Sequence, residues 1–144
     1  MKKFSGLIAV SVLILVSTVN CQNKKVASNS GDGNGSNSGL RSVYFDFDNS
    51  LIRNDQVPVL QSNANFIKSN SGAVSVEGHC DERGTNEYNL ALGQRRADST
   101  RDYLVNLGAS ASAMRTVSYG EEKPVCSESD ESCWWKNRRV DFRK

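Results

Sequence analysis

The sequence predicts an α+β domain of order β-α-β-α-β-β, a mixed sheet with its helices packed on one face. Three observations carry that expectation. Apolar residues alternate with polar ones near Val43 and again near Val74. They recur at helical spacing in the two stretches that follow, and two short runs rich in β-branched and aromatic residues close the chain.

Each element has its own signal. Val43, Phe45 and Phe47 alternate with Tyr44 and Asp46, the period of a half-buried strand. Val57, Leu60, Ala64 and Ile67 then mark a helix, with Asn54 expected as its N-cap. Pro58 falls in the first turn, where a missing N–H does least harm. Val74 and Val76 mark a second strand. Thr85 is placed to cap a long second helix, with Glu87 in its first turn and Gly108 at its C-terminus. Thr116 to Tyr119 and Arg139 to Phe142 read as the last two strands, joined by a loop that contains two cysteines.

The N-terminus has a different character. Lys2 and Lys3 precede a mostly apolar run from Phe4 to Val19, which reads as the charged and apolar regions of an export signal. The run is 16 residues long, short of the roughly 20 that a spanning helix needs, with a short membrane anchor as the alternative. Cys21 closes the segment in Ser17-Thr18-Val19-Asn20-Cys21, which resembles the lipobox of bacterial lipoproteins. That resemblance implies a signal peptide over residues 1–20, a membrane anchor through lipid on Cys21, and, with Gln22 rather than aspartate next, an outer-membrane location with the domain facing the periplasm. A stable anchor needs more than one acyl chain.

Residues 21–39 are then the lipidated cysteine and a linker rich in Asn, Ser and Gly, and residues 40–144 the folded domain. From Gln22 to Gly39 such a chain spans on the order of 21 to 25 Å, about 60 Å if pulled straight, so the domain hangs away from the membrane.

The whole chain carries 18 Lys and Arg against 16 Asp and Glu, and removal of Lys2 and Lys3 leaves a formally neutral protein. Binding to nucleic acid would want a basic surface, so no nucleic-acid partner is expected. With Cys21 assigned to lipid, Cys80, Cys126 and Cys133 remain in an exported, disulfide-permissive setting. Cys126 and Cys133 flank the polar segment SESDES and are expected to pair, leaving Cys80 a buried or semi-buried free thiol.

The charged stretch GHCDERGTNEYNLALGQRR, Gly78 to Arg96, directs attention to one residue. At about 100° per residue along a helix from Asn86 to Leu107, Tyr88, Leu92, Ser99, Tyr103 and Leu107 share a band, widened by Ala97 and Leu104, with Arg96 near its middle. A guanidinium on a packing face needs a partner. Asp81, just before the helix, is the nearest candidate. Two arrangements satisfy it: a direct Asp81–Arg96 ion pair that pins loop to helix, or two charges flanking a gap, Asp81 taking an ammonium and Arg96 a carboxylate of one zwitterion.

The run EGHCDERGTNEYNLALGQRRADSTRDYL, preceded by VYFDFDNSLI and followed by VSYGEEKP and KNRRVDF, resembles the OmpA-like domain family, and within it the peptidoglycan-associated lipoproteins. The resemblance implies non-covalent binding of peptidoglycan through the diaminopimelate, or other diamino acid, of its stem peptide, tethering membrane to cell wall. It places the ligand on Asp81 and Arg96, with Phe47 and Asp48 from the first strand, Asn89 and Leu92 from the helix, and Arg138 from the NRR element. Phe47 and Leu92 would wall the ligand's methylene chain, and Asp48 and Asn89 would complete its polar end. The resemblance also implies a TolB-like periplasmic partner meeting the same surface. What Trp134 and Trp135 touch stays open between the core edge and a partner surface.

Two rivals are weaker. His79, Cys80 and Asp81 adjoin, but consecutive residues rarely converge on one metal and the spacing fits no common zinc pattern, so no metal and no cofactor is expected. An enzyme acting on the wall would need a carboxyl of raised pKa, and an arginine beside Asp81 works against that, so no catalytic residue is assigned. The alternative within binding proteins is an envelope module for protein partners with little or no wall binding.

Overall fold

The computed structural model describes residues 39–144; the expected signal peptide, the expected lipidation site at Cys21 and nearly all of the expected linker lie outside the described residues. The elements run β1 (Val43–Tyr44), α1 (Val57–Ser69), β2 (Val74–His79), α2 (Asn86–Asn106), β3 (Met114–Gly120), α3 (Glu131–Asn137) and β4 (Arg139–Arg143). The sheet order is β1-β4-β2-β3. Parallel β2 and β3 are joined through α2, and β4 lies antiparallel between β1 and β2, with Val76 opposite Phe142 and Val43 opposite Val140. This is the expected mixed α+β sheet. Among the described residues no helix is long and apolar enough to cross a membrane.

The pleat decides which residues enter the core. Val43, Val76, Val140 and Phe142 face Leu60 of α1 and Leu104 of α2, all buried in one apolar cluster. Phe45 extends the first strand's pattern by one residue, donating its N–H to the Arg138 carbonyl at 2.9 Å. The alternation then ends early. Phe47, expected on the buried face, is 56% exposed, because the chain leaves the sheet at Asp46 and turns through Asp48, whose φ of 52° is left-handed.

Helix starts divide into one expected and one not. Thr85 caps α2 by accepting the Tyr88 N–H at 3.2 Å, and Gly108 follows the helix at φ 90°. Asn54 does not cap α1. It opens a short 3-10 turn to Gln56, which takes the cap position without a side-chain cap bond and instead accepts the Tyr44 N–H at 3.1 Å.

The buried face of α2 is rotated from the expected band. It comprises Asn89, Leu92, Gly93, Arg96, Ala97, Thr100 and Leu104, whereas Tyr88 is 45% exposed. The cause is a close approach of backbones: a Cβ on Gly78 of β2 would lie 1.9 Å from the Gly93 carbonyl oxygen. Helix and sheet touch where neither has a side chain, so Gly93 turns inward and small or polar neighbours follow it. Arg96 lies inside both bands.

α3 was not expected from the sequence. Asp130 caps it by accepting the Ser132 N–H at 2.7 Å, and a disulfide from Cys126 to Cys133 ties it to the preceding loop with Cα atoms 5.2 Å apart. Cys80 is free and buried. The ends of β1 and β2, the start of α2, and the α3–β4 junction converge at one end of the sheet.

Candidate functional site

At that end lies a cavity of about 200 Å³. Phe47, Asp48, Asp81, Asn89, Leu92, Arg96 and Arg138 all line it, so the structure brings together every residue assigned to the ligand from the sequence. Cys80, Arg83, Gly84 and Tyr88 complete the lining.

Arg96 forms the floor and is fully buried at 0% exposure. Its Nε donates to the Asn49 carbonyl at 2.8 Å, Nη2 to the Asp46 carbonyl at 3.0 Å, and Nη1 to the His79 carbonyl at 2.9 Å and the Cys80 Sγ at 3.4 Å. The turn after β1 and the end of β2 thus wrap the guanidinium in neutral acceptors. No carboxylate of the described residues pairs with it, and the direct Asp81–Arg96 ion pair does not form. Burial pushes the Arg96 pKa down from its ordinary value, countered by the Cys80 thiol and Asp81 nearby. The group stays charged regardless.

Asp81 is held elsewhere. Its Oδ1 accepts from the Arg83 N–H at 3.1 Å and Nε at 3.2 Å; its Oδ2 accepts from Arg83 Nη2 at 2.7 Å and Arg138 Nη1 at 3.1 Å. Burial alone would raise its pKa, but the hydrogen bonds from Arg83 and Arg138 outweigh it and the carboxyl sits below its ordinary value. Arg138 also donates to the Phe45 carbonyl at 3.2 Å and pairs with Glu131 of α3; burial alone would lower its pKa, but the bonds to Glu131 and Asp81 outweigh it and raise it.

The partners of Asp81 are what the sequence reading missed. Arg83 lies between two aromatic faces, 3.9 Å from the Phe47 ring centroid and 4.0 Å from that of Trp134, whose Nε1 donates to Glu82 at 3.2 Å. A cation between two rings and bidentate on a carboxylate has little freedom. Trp134 therefore serves the rim of the site, while Trp135 packs against Tyr44 at 5.3 Å. The signal for Arg83 was present: an aspartate two residues before it can accept its N–H in a local turn.

The remaining residues take distinct places. Leu92 is a buried apolar wall opposite the open Phe47 ring. Asn89 is spent on the loop, donating Nδ2 to the Asp81 carbonyl at 3.2 Å and the Arg83 carbonyl at 3.3 Å, and also to Glu121. Asp48 accepts a hydrogen bond from the Tyr88 hydroxyl, which raises the phenol's pKa. Cys80 donates to the Asn89 carbonyl at 3.3 Å, and burial pushes its thiol up to about 11, so it is a protonated filler and no nucleophile.

His79 points to the opposite face of the sheet, stacked on Tyr119, and burial with the Arg139 charge nearby brings its pKa down to about 4. Among the described residues no group of three His, Cys, Asp or Glu side chains is arranged to hold a metal.

The OmpA family model matches residues 44–138, which include all of these positions. A relative from Rhizobium meliloti (strain 1021), named peptidoglycan-associated lipoprotein, is 40% identical over 148 residues, covering 92% of this chain and 84% of its own length. The crystal structure of the peptidoglycan-associated lipoprotein from Burkholderia pseudomallei matches with a TM-score of 0.69 at 47% identity, over 71% of this chain and 87% of that one. The C-terminal domain of Helicobacter pylori MotB, at 21% identity and a TM-score of 0.65 over 73% of this chain and 84% of its own, shares the fold. The chain belongs to the OmpA family.

Proposed function

We propose that this chain is an outer-membrane lipoprotein, anchored through Cys21, whose cavity grips the diamino acid of the peptidoglycan stem peptide without covalent chemistry and so ties membrane to wall. One observation carries the reading: Arg96 presents a fully buried charge that no carboxylate of the described residues neutralises, on the floor of an open cavity. A buried unpaired charge is costly, and a ligand carboxylate would offset that cost. The apolar walls of Phe47 and Leu92 suit the methylene chain of a diamino acid. The relatives named peptidoglycan-associated lipoprotein support the same ligand.

Binding without turnover fits the charges. A general acid needs a raised pKa, and Arg83 with Arg138 hold Asp81 below its ordinary value. A protein-interaction role is favoured by the exposed aromatic rings of Phe47 and Tyr88 at the mouth, and a TolB-like periplasmic protein seated there would compete with the wall. The test is retention on purified sacculi, wild type beside Arg96→Ala, with circular dichroism on both. Wild type should co-sediment and the variant should not, with matching spectra. A wild type that stays in the supernatant sinks wall binding and leaves the protein-partner reading.

A further inference from the structure

Exposed charges are sorted between the two ends of the sheet. Four segments meet at the end opposite the cavity: residues 39–42 before β1, 66–74 from the close of α1 into β2, 105–116 from the close of α2 into β3, and 142–144 at the close of β4. Together they carry Arg41, Lys68, Arg115, Arg143 and Lys144, and no Asp or Glu. All five cations are exposed. Acids gather instead at the cavity end, among them Asp46, Asp48, Glu82, Glu121 and Glu131, so a chain with nearly balanced charge is polarised along its strands.

The five cations share one surface. Arg143 and Arg115 flank Ser75 in register on its two neighbouring strands. The Lys144 ammonium lies 5.8 Å from the Phe66 ring centroid, and Lys68 reaches across from α1 to donate to the Leu107 carbonyl at 3.2 Å. Asn63 of α1 fixes Arg41, accepting its N–H at 2.9 Å and donating to its carbonyl at 2.7 Å. Among the described residues only Arg143 of the five meets a carboxylate, that of Glu77 at 3.7 Å, and the other four form no ion pair. Beside Lys68 an open depression of about 550 Å³ is lined by Ser69, Asn70, Ser71 and Ser110, which places neutral hydrogen-bond donors among the cations.

We propose that this basic end docks on anionic phospholipid headgroups of the leaflet that holds the lipid on Cys21. The inference rests on the lipid-anchor reading above, and two observations select this occupant. The described chain begins at Gly39, where an added Cβ would lie 2.7 Å from the Phe66 ring, so the segment expected to run from the membrane enters the domain within the basic surface. The sign and chemistry also match: unpaired ammonium and guanidinium groups with hydroxyl and amide donors between them suit phosphate oxygens. Each Lys or Arg near an anionic membrane strengthens binding by roughly fivefold, and a tether holds the domain beside the surface at an effective concentration on the order of millimolar. A domain docked in this way stands on its basic end. Its cavity, at the far end of the same strands, then opens away from the membrane and toward the wall.

The test uses the full chain purified from membranes and reconstituted in nanodiscs, either of phosphatidylcholine alone or of equal parts phosphatidylcholine and phosphatidylglycerol. A water-soluble amine-acetylating reagent is applied and each lysine is read by mass spectrometry. Lys68 and Lys144 report the basic end, and Lys136 of α3 reports the cavity end. Lys68 and Lys144 should react at least about fivefold more slowly in the anionic discs, with Lys136 unchanged. Salt at about 1 M, where the Debye length is about 3 Å, should abolish the difference. Arg41→Gln combined with Arg115→Gln should erase most of it while retention on sacculi stays intact, since both side chains are exposed and far from the cavity. Equal reactivity in the two discs overturns the inference while the anchor stands. Protection that grows with the number of chains per disc, whichever the lipid, overturns it in favour of a second copy. A chain whose mass shows no acyl group on Cys21 removes the anchor reading, and the inference with it.

Discussion

Two walls of the cavity hold a buried arginine by opposite means. On the α2 side Arg96 is bound by three backbone carbonyls and a thiol, with no carboxylate among its described partners. On the α3 and β4 side Arg138 is paired with Asp81 and Glu131 and donates to one carbonyl. Both are oriented by hydrogen bonds, but only Arg138 is neutralised. The difference separates two tasks: a charge cancelled inside the protein builds structure, and a charge left uncancelled at a cavity is available to a ligand. Glu131 and Trp134 both reach the network of Asp81, Arg83 and Arg138 from α3, a short helix that the Cys126–Cys133 disulfide ties to the preceding loop.

The comparison breaks most visibly in paired substitutions. Arg138→Ala removes one buried partner of Asp81 and leaves the carboxylate to Arg83 alone, and should lower unfolding stability by about 2 kcal/mol in urea titrations. Its effect on sacculus binding should follow only from that loss. Arg96→Lys should do the reverse, keeping much of the stability while binding falls at least tenfold, because a point charge cannot hold carboxylate and carbonyls in one fork. Equal profiles for the two variants would erase the distinction between the walls.

Acid tests the same division more gently. Asp81 has a folded pKa below its unfolded value, so the unfolded chain binds its proton more readily. The stability from the network is therefore complete above the ordinary carboxylate pKa and is lost as pH falls below it and through the lowered folded value. His79, on the other face of the sheet, titrates at about 4 instead of 6.5 because it is buried and near Arg139, so the unfolded chain again takes the proton first and stability declines as pH falls from 6.5 toward 4. A Tm series should thus slope downward in two stages, and His79→Phe should flatten the upper stage alone.

The smallest effect concerns the rim. Trp134→Ala removes one of the two rings on Arg83 and should cost about 1 kcal/mol, read from Tm, while Asp81 keeps its bidentate partner.

The strands, the two long helices and their order along the chain were legible in the sequence, because strand alternation and the Thr85 and Gly108 helix signals are local; the strand order within the sheet was not. The rotated face of α2 was not. A count of apolar positions gives no weight to Gly93, although the contact between Gly78 and Gly93 sets the helix's orientation. α3 was hidden for another reason: at 7 residues it is too short for periodicity, and its stability comes from the Asp130 cap and the disulfide. In the site, membership was legible through resemblance and the burial of Arg96 through helical geometry. Partner choice was not, because Asp81 turns to Arg83 by a local loop bond and to Arg138 across 57 residues of chain.

The central claim is that the uncancelled charge of Arg96 exists to meet a ligand carboxylate. Its most direct measurement uses unaltered protein: the affinity of the full chain for the diaminopimelate tripeptide with its distal carboxylate free, against the same peptide amidated at that group. The account predicts a preference of at least tenfold for the free carboxylate. Equal affinity for the two peptides would contradict it.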